Sequence, residues 1–309
     1  MTTSLAAAPP AHSYDLKNAV TNSRLAGLWA MMTGFRLRYA GAVTALALGA
    51  TAKTATYMLL RHFVDNVLGK ERAPSTLALI ALGFLGLALL EGGFTCLSGR
   101  LAAQTGEGTA RRLRNYLHDH SQRLTFSYHD RMQTGELIQR STSDVDALRR
   151  FYSDQALGIG RIILLFSINF VALARLNLRL ALLSIIVVPL IVIVSGIFFK
   201  RISRAYDKYQ QQEASLSTVL QENLSGVRVV KAFARQGYER DKFEKENLEK
   251  FKRGRTLTLA HSLFWPVSDI LCGAQMLFGY ATAAFMAING EITVGTYMAY
   301  VGLLVWIIF

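Results

Sequence analysis

Long apolar runs alternate along this chain with equally long amphipathic ones. The clearest apolar run is "LALLSIIVVPLIVIVSGIFF", residues 180–199. Runs of this kind predict membrane-spanning helices at about 39–64, 76–98, 156–174, 178–199 and 261–288, with a sixth opening near Val294. Each approaches the roughly 20 apolar residues a bilayer-crossing helix needs. The first is interrupted by Lys53 and several threonines. Pro189, inside the fourth, is tolerated in lipid because neighbouring groups re-satisfy the backbone it frees.

The connections alternate as well. Spans 1–2, 3–4 and 5–6 are joined by about 11, 3 and 5 residues, whereas spans 2–3 and 4–5 are joined by nearly 60 each. The long connections are not linkers. "SGRLAAQTGEGTARRLRNYLHDHSQRL" repeats apolar positions at Leu101, Leu113, Leu117 and Leu124, and "GELIQRSTSDVDALRRFY" also has a helical pattern. "RISRAYDKYQQQEASLSTVLQENL" and "YERDKFEKENLEKFKRGRTL" predict the two arms of the second connection, with Gly226 and Gly237 between them. Each connection therefore reads as a helical hairpin, over about 99–155 and 200–260. Arms of about 25 residues reach roughly 37 Å at 1.5 Å per residue, well beyond a bilayer surface. The tips are "FSYHDRMQTGEL", Phe126 to Leu137, and "SGVRVVKAFARQGYERDKF", Ser225 to Phe243, each expected to hold a short helical piece at a break. In the second, Val227, Val230 and Phe233 recur at helical spacing with Arg228, Lys231 and Arg235 between them.

Residues 1–20 are polar, carry Pro9-Pro10, and predict a disordered tail rather than a signal peptide. Residues 21–38 place Leu25, Leu28, Trp29, Met32 and Phe35 on one side, near Arg24, Arg36 and Arg38. That is the pattern of an interfacial elbow helix leading into the membrane domain at 39–309.

The net charge of +13 changes the picture only through its distribution. Residues 99–153 carry nine Lys/Arg and residues 200–255 fourteen. The positive-inside rule then puts both hairpins and the amino terminus in the cytoplasm of an integral, multi-pass protein of the cell membrane. Arg175 and Arg179, in a very short outer loop, are a mild exception. No motif supports a nucleic-acid partner. Cys96 and Cys272 both fall inside apolar stretches and read as buried thiols rather than a disulfide framework.

Charges inside a membrane default to a functional reading. Lys53, Glu91 and Arg161 qualify as candidate pathway residues. A Glu91–Arg161 ion pair or shared polar patch is geometrically possible. The alternative is that the helices extend past the lipid and leave both residues in water. Asp269, Gln275 and Phe278, with Trp265 and Tyr280, could face a cavity, or could serve helix–helix hydrogen bonding and packing. Arg61 and His62 read as interfacial. "LHDH" at 117–120 and "SDVD" at 143–146 are no metal sites, since positions i and i+2 of a helix face different sides. No nucleophile–base constellation is present, and no catalytic residue is assigned.

Three stretches together resemble one family. "FSYHDRMQTGELIQRSTSDVDAL" is similar to the first intracellular loop of ATP-binding-cassette exporters, "ENLSGVRVVKAFARQGYERDKFEKEN" to their second, and "NGEITVGTYMAYVGLL" to the entry of their sixth helix. The resemblance covers about residues 25–309. It implies an all-α, six-helix exporter fold that pairs with a second half-transporter, as a homo- or heterodimer, with helices 4 and 5 crossing to the partner. It also implies that each hairpin tip is a coupling helix docked in a nucleotide-binding domain. Phe126, Tyr128, His129, Asp130 and Gln133 would serve at the first tip. At the second, Val227, Val230 and Phe233 would be the buried plug, and Arg228 and Lys231, with Arg235, its rim.

The chain departs from the family in one respect: it contains no G-x-x-x-x-G-K-[ST], and "LGKER" at 68–72 offers only a stray Gly-Lys. A P-loop needs that glycine-rich turn so that backbone N–H groups can cradle phosphates. ATP and Mg are accordingly expected at a nucleotide-binding domain outside these residues, downstream of a sixth helix that the chain leaves part-way. Two other classes stay open at this point. A membrane scaffold or receptor would use the hairpins for partner binding alone. A secondary transporter would instead place broken helices and functional acids at the bilayer midplane.

Overall fold

The computed structural model describes residues 23–68 and 74–308, and every regular element among them is a helix. The expected tail over 1–20 and residues 69–72 of the "LGKER" stretch lie outside the described residues. In chain order the helices are α1 (Arg24–Met31), α2 (Arg36–Asn66), α3 (Pro74–Gln122), α4 (Phe126–Arg131), α5 (Thr134–Gln139), α6 (Val145–Arg150), α7 (Ala156–Leu176), α8 (Leu178–Ile185), α9 (Val188–Ala232), α10 (Gln236–Ile288) and α11 (Val294–Ile308). Five helical stretches are long and apolar enough to cross a membrane: Arg36–Asn66, Pro74–Gln122, Thr134–Leu176, Leu178–Ala232 and Gln236–Ile288. The sixth, α11, is a shorter apolar helix. The chain forms two compact units, one holding the residues up to Leu176 together with Ile292–Trp306, the other Asn177–Glu291.

In the first unit α2 packs along α3 through small residues. Ala42, Ala45, Gly49 and Ala50 are buried, Gly49 lies against Thr95 and Phe94, and Ser98 Oγ donates to the Ala42 carbonyl at 2.7 Å. Small side chains let two backbones approach where lipid offers no hydrophobic drive. α7 joins this pair through buried Asn169, whose Oδ1 accepts from Thr54 Oγ1 at 2.7 Å. Two π-helical turns, Arg140–Asp144 and Phe151–Gln155, splice α5, α6 and α7 into one rod. The second turn presses against α3 at Gly106, where an added Cβ would lie 2.2 Å from Ser153 Oγ. Arg149 bonds Glu107 at 3.0 Å and Arg114 bonds Asp146 at 2.6 Å, tying the same elements together outside the apolar core.

The elbow is shorter than the pattern over 21–38 suggests. α1 ends at Met31, residues 32–35 turn through Gly34 at φ +88°, and α2 begins at Arg36. A left-handed residue cannot continue a right-handed helix. Phe35 therefore leaves the elbow face and lays its ring on Gly108 of α3, where a Cβ would be 2.4 Å from it. Arg112 of α3 closes the corner by donating to the carbonyls of Met31 and Thr33. Tyr152 Oη donates to the Leu28 carbonyl at 2.8 Å, above a small core of Met32, Tyr39 and Tyr152.

In the second unit α8 and α9 meet at a break over residues 186–187, just before Pro189. The fourth span is thus not one uninterrupted helix. The turn at 186–187 interrupts the i→i−4 ladder, and the Leu183 carbonyl keeps only a long bond from the Ile186 amide at 3.5 Å. Gln275 of α10, buried, supplies a second donor to that carbonyl at 2.8 Å. α9 and α10 then run as an antiparallel pair. Gln212 donates to Glu246 Oε2 at 2.5 Å, Lys242 meets Glu222 at 3.0 Å, and Arg253 Nη1 reaches the Lys208 carbonyl at 3.0 Å. At the other end of the unit, Asn177 caps α8 by accepting from the Leu180 amide at 3.2 Å, and Arg179 stands 3.7 Å from Glu291.

α11 is fixed in the first unit by one carboxylate. Asp65, at the end of α2, accepts from Thr293 Oγ1 at 2.7 Å and from the Gly295 amide at 2.8 Å. These bonds satisfy otherwise orphaned groups at a helix start. Asp65→Ala should destabilise the protein by about 1–3 kcal/mol, with Asp65→Asn retaining part of the loss because it keeps an acceptor. Thermal unfolding in detergent measures both, and an unchanged midpoint in Asp65→Ala would mean that the capping contributes nothing.

Candidate functional site

The first hairpin tip is a separate short helix, as the sequence suggests. α4 begins after Thr125, whose extended backbone ends the incoming arm, and its hydroxyl lies 3.1 Å from Ser127 Oγ. His129 anchors the helix, with Nε2 3.1 Å from the Ser121 carbonyl, and its ring meets Tyr128 edge-on. Phe126 is left 90% exposed. Asp130 and Gln133 are also exposed, and Tyr128 is half-buried. A shallow cavity of about 310 Å³ opens among Thr125, Ser127, Tyr128, Arg131 and Met132. The tip therefore offers a bare aromatic beside a shallow hollow of mixed polar and apolar lining, at the end of a helical arm.

The second tip differs from its sequence pattern. Gly226 and Gly237 do not break the chain; both lie inside helices, α9 running through the first to Ala232 and α10 starting at Gln236 just before the second. A glycine in a helix interior costs about 1 kcal/mol, which the packing of a 45-residue helix against its neighbour outweighs. The only separation is the turn at 233–235, and the predicted short piece is the last two turns of α9. That turn is a Schellman motif. The Arg235 amide donates to the Val230 carbonyl at 2.9 Å and the Ala234 amide to the Lys231 carbonyl at 3.2 Å, with Ala234 at φ +49°. α10 ends in the same motif: Glu291 N donates to Met286 O at 2.9 Å, Gly290 N to Ala287 O at 3.1 Å, and Gly290 has φ +74°. At the tip the turn leaves Phe233 74% exposed, with Val227, Arg228 and Lys231 exposed and Val230 half-buried.

Of the charges in the apolar stretches, Glu91 does not form the pair with Arg161 that was one of the two readings open from sequence. Glu91 Oε1 lies 3.4 Å from Lys53 Nζ, because α2 and α3 are packed neighbours. Arg161 is exposed on α7. Lys53 also sits 3.3 Å above the Trp306 ring of α11, a cation–π contact, and Trp306 Nε1 donates to Tyr57 Oη at 2.9 Å. Asp269 and Phe278 are exposed on α10, whereas Gln275 is buried and spent on the α8–α9 break. Cys96 is exposed on α3 rather than buried, whereas Cys272 is buried.

Residues 40–309 match the family described as the ABC transporter transmembrane region. The chain belongs to that family. Among curated relatives, an uncharacterized ABC transporter ATP-binding protein, YknU of Bacillus subtilis (strain 168), is 28% identical over 253 residues, covering 82% of this chain and 43% of that protein. An ATP-dependent lipid A-core flippase of Syntrophus aciditrophicus (strain SB) is 25% identical over 269 residues, 87% of this chain and 44% of its own. A putative multidrug export ATP-binding/permease protein, YgaD of Bacillus subtilis (strain 168), is 25% identical over 250 residues, 79% and 43% respectively. The chain thus spans less than half the length of these relatives, and what it covers is their transmembrane region.

Within this ABC transmembrane region, sequence reasoning missed Arg112, Asp65 and the aromatic floor under Lys53. Each works across 79 residues or more, so none leaves a local pattern. The two Schellman turns give a paired test of local strain. A non-glycine residue pays about 1–2 kcal/mol to sit in the left-handed region. Ala234→Gly should therefore stabilise by about 0.5–1 kcal/mol, after the added unfolded-state entropy is subtracted, and Gly290→Ala should destabilise by a similar amount. No neighbour crowds a Cβ at Gly290, which isolates the backbone effect. Thermal unfolding of the two variants should move in opposite directions; shifts of the same sign would contradict the assignment.

Proposed function

We propose that this chain is the transmembrane part of an ATP-driven exporter that works as a dimer and moves its substrate by alternating access. The observation that carries the proposal is the pair of tips: Phe126 and Phe233 are both exposed at the ends of long helices in a chain of this family. Bare aromatics that cost solvation in an isolated chain are the anchors that fill a partner's pocket. The partner of each tip is a nucleotide-binding domain, the same one or different ones. Phe126, Tyr128, His129, Asp130 and Gln133 engage it from the first tip. Val227, Val230 and Phe233 do so from the second, rimmed by Arg228 and Lys231. Movement of that domain is carried by rigid helices into the membrane body, where packed interfaces switch between discrete arrangements.

These residues cannot themselves hold ATP, because no glycine-rich phosphate cradle occurs in the sequence. Nucleotide and Mg belong to the separate domain, on this chain or another. The hairpins face the cytoplasm, since they carry most of the positive charge. Candidate pathway residues are Lys53, Glu91 and the exposed Arg161 in the first unit and, separately, the exposed Asp269 and Phe278 in the second, where Gln275 is instead bonded to the Leu183 carbonyl. Relatives named for lipid A-core flipping and multidrug export make amphipathic molecules the first substrates to test.

Phe233→Ala and Phe126→Ala should each reduce transport about ten-fold or more, the loss of one buried aromatic anchor. ATP hydrolysis should persist in both and lose its response to substrate. Parallel transport and hydrolysis assays on the protein with its ATPase domain decide this. Wild-type transport in both variants would remove the tips from the coupling route.

A further inference from the structure

The charge cluster of α2, α3 and α11 discriminates between kinds of ligand. Lys53 Nζ stands 3.4 Å from Glu91 Oε1 and 3.3 Å above the Trp306 ring. Trp306 is itself held by its 2.9 Å bond to Tyr57 Oη, and an added Cβ at Gly302 would lie 2.2 Å from the Tyr57 ring. Lys53 and Glu91 make no further polar contact among the described residues, so Glu91 retains a free carboxylate oxygen and Lys53 a free N–H. Both remain reachable, with side chains 19% and 34% accessible. They are also deep. Lys53 lies 13 residues before the end of α2 at Asn66 and Glu91 lies 17 after the start of α3 at Pro74. At 1.5 Å per residue that places the pair about 20–25 Å from those helix ends.

A charge pair at that depth is close to neutral, and anything that joins it must keep it so. A purely cationic ligand meets Glu91 but crowds Lys53; a purely anionic one meets Lys53 but crowds Glu91. Either leaves a net charge in a low-dielectric setting, where an uncompensated charge is severely penalised. A ligand carrying both signs can lie alongside the pair, its ammonium on Glu91 and its anionic group on Lys53, and add no net charge. The depth in apolar helices requires a hydrocarbon tail on the same molecule.

We propose that Lys53, Glu91 and Trp306 form a binding site for the headgroup of a zwitterionic amphiphile, one bearing an ammonium and a phosphate or carboxylate. The site deepens the proposed pathway by naming its ligand class and rests on that reading for its role in transport. Binding itself depends only on these side chains.

Trp306 reports on the site directly. In the Trp29→Phe/Trp265→Phe variant it is the sole tryptophan. In uncharged detergent micelles, lysophosphatidylethanolamine should change Trp306 emission saturably. Its affinity should be about ten-fold or more above that of lysophosphatidylglycerol and of an alkyltrimethylammonium of equal chain length. Phosphoethanolamine without a chain should have no effect at the same concentration; an equal response to it would overturn the amphiphile assignment in favour of a water-borne zwitterion. Lys53→Gln/Glu91→Gln should abolish the preference. The swapped Lys53→Glu/Glu91→Lys variant keeps the pair and should keep the preference, which guards against misfolding of the neutral variant. Equal or tighter binding of either singly charged amphiphile, or unchanged binding to the neutral variant, overturns the site. The pathway reading fails separately: saturable binding with no translocation of a fluorescent phosphatidylethanolamine by the ATPase-bearing protein would leave the site standing and remove its role in transport.

Discussion

A backbone amide inside hydrocarbon has no water to bond, and every N–H and C=O that crosses a membrane must find its partner within the protein. This chain meets that demand with long helices and then treats each interruption as a separate problem. Where α8 gives way to α9 ahead of Pro189, the Gln275 side chain takes a carbonyl at the break. Where α8 begins, Asn177 caps it from one residue away, and where α11 begins, Asp65 does so from 230 residues away. The C-terminal end of α10 closes on itself by a Schellman turn, as does that of α9 at the exposed tip, where water is also at hand. The same rule explains why a buried glutamine and an aspartate recur at interruptions: they are the donor and the acceptor that the backbone lacks there.

Outside the apolar stretches a different balance holds. The arms are covered with charged side chains, and pairs such as Lys242–Glu222 and Arg253–Glu249 are substantially exposed. Exposed ion pairs of this kind contribute at most about 1 kcal/mol each. Register along the arms depends more on contacts that only one alignment permits: Gln212 of α9 reaching both the backbone and side chain of Glu246, and Tyr209 lying against Gly254. On the first hairpin, Gly106 and Gly108 play the equivalent part by admitting Ser153 and Phe35 where any side chain would intrude.

Much of this was legible in the residues. Apolar runs pointed to the five helices long enough to cross a membrane, and helical spacing of Leu101, Leu113 and Leu117 correctly carried α3 on to Gln122. The short helix at Phe126 was visible because a threonine and an aromatic pair interrupt the arm. What failed were inferences that depended on a single residue type. Gly226 and Gly237 were read as lying between the arms, yet both stay inside helices and the left-handed position falls to Ala234. Glu91 was matched to Arg161 by depth alone, because sequence gives a residue's height along a helix but not the side it faces. Lys53 was on the right neighbour all along. The elbow was read as one helix over 21–38, but Gly34 turns the chain between α1 and α2.

The uninterrupted course of α9 from Val188 to Ala232 has a mechanical consequence. Its 45 residues make a rod of about 67 Å. A rotation of about 5° at the 186–187 break would swing the far end, where Phe233 stands, by about 6 Å, roughly one turn of helix pitch. Under the proposed coupling the same lever would work in reverse as a reducing gear, turning a broad displacement at the tip into a small rotation at the α8–α9 break. Had Gly226 been the joint that its position suggests, the last turn would have flexed by itself and the stroke would have been lost before reaching the membrane.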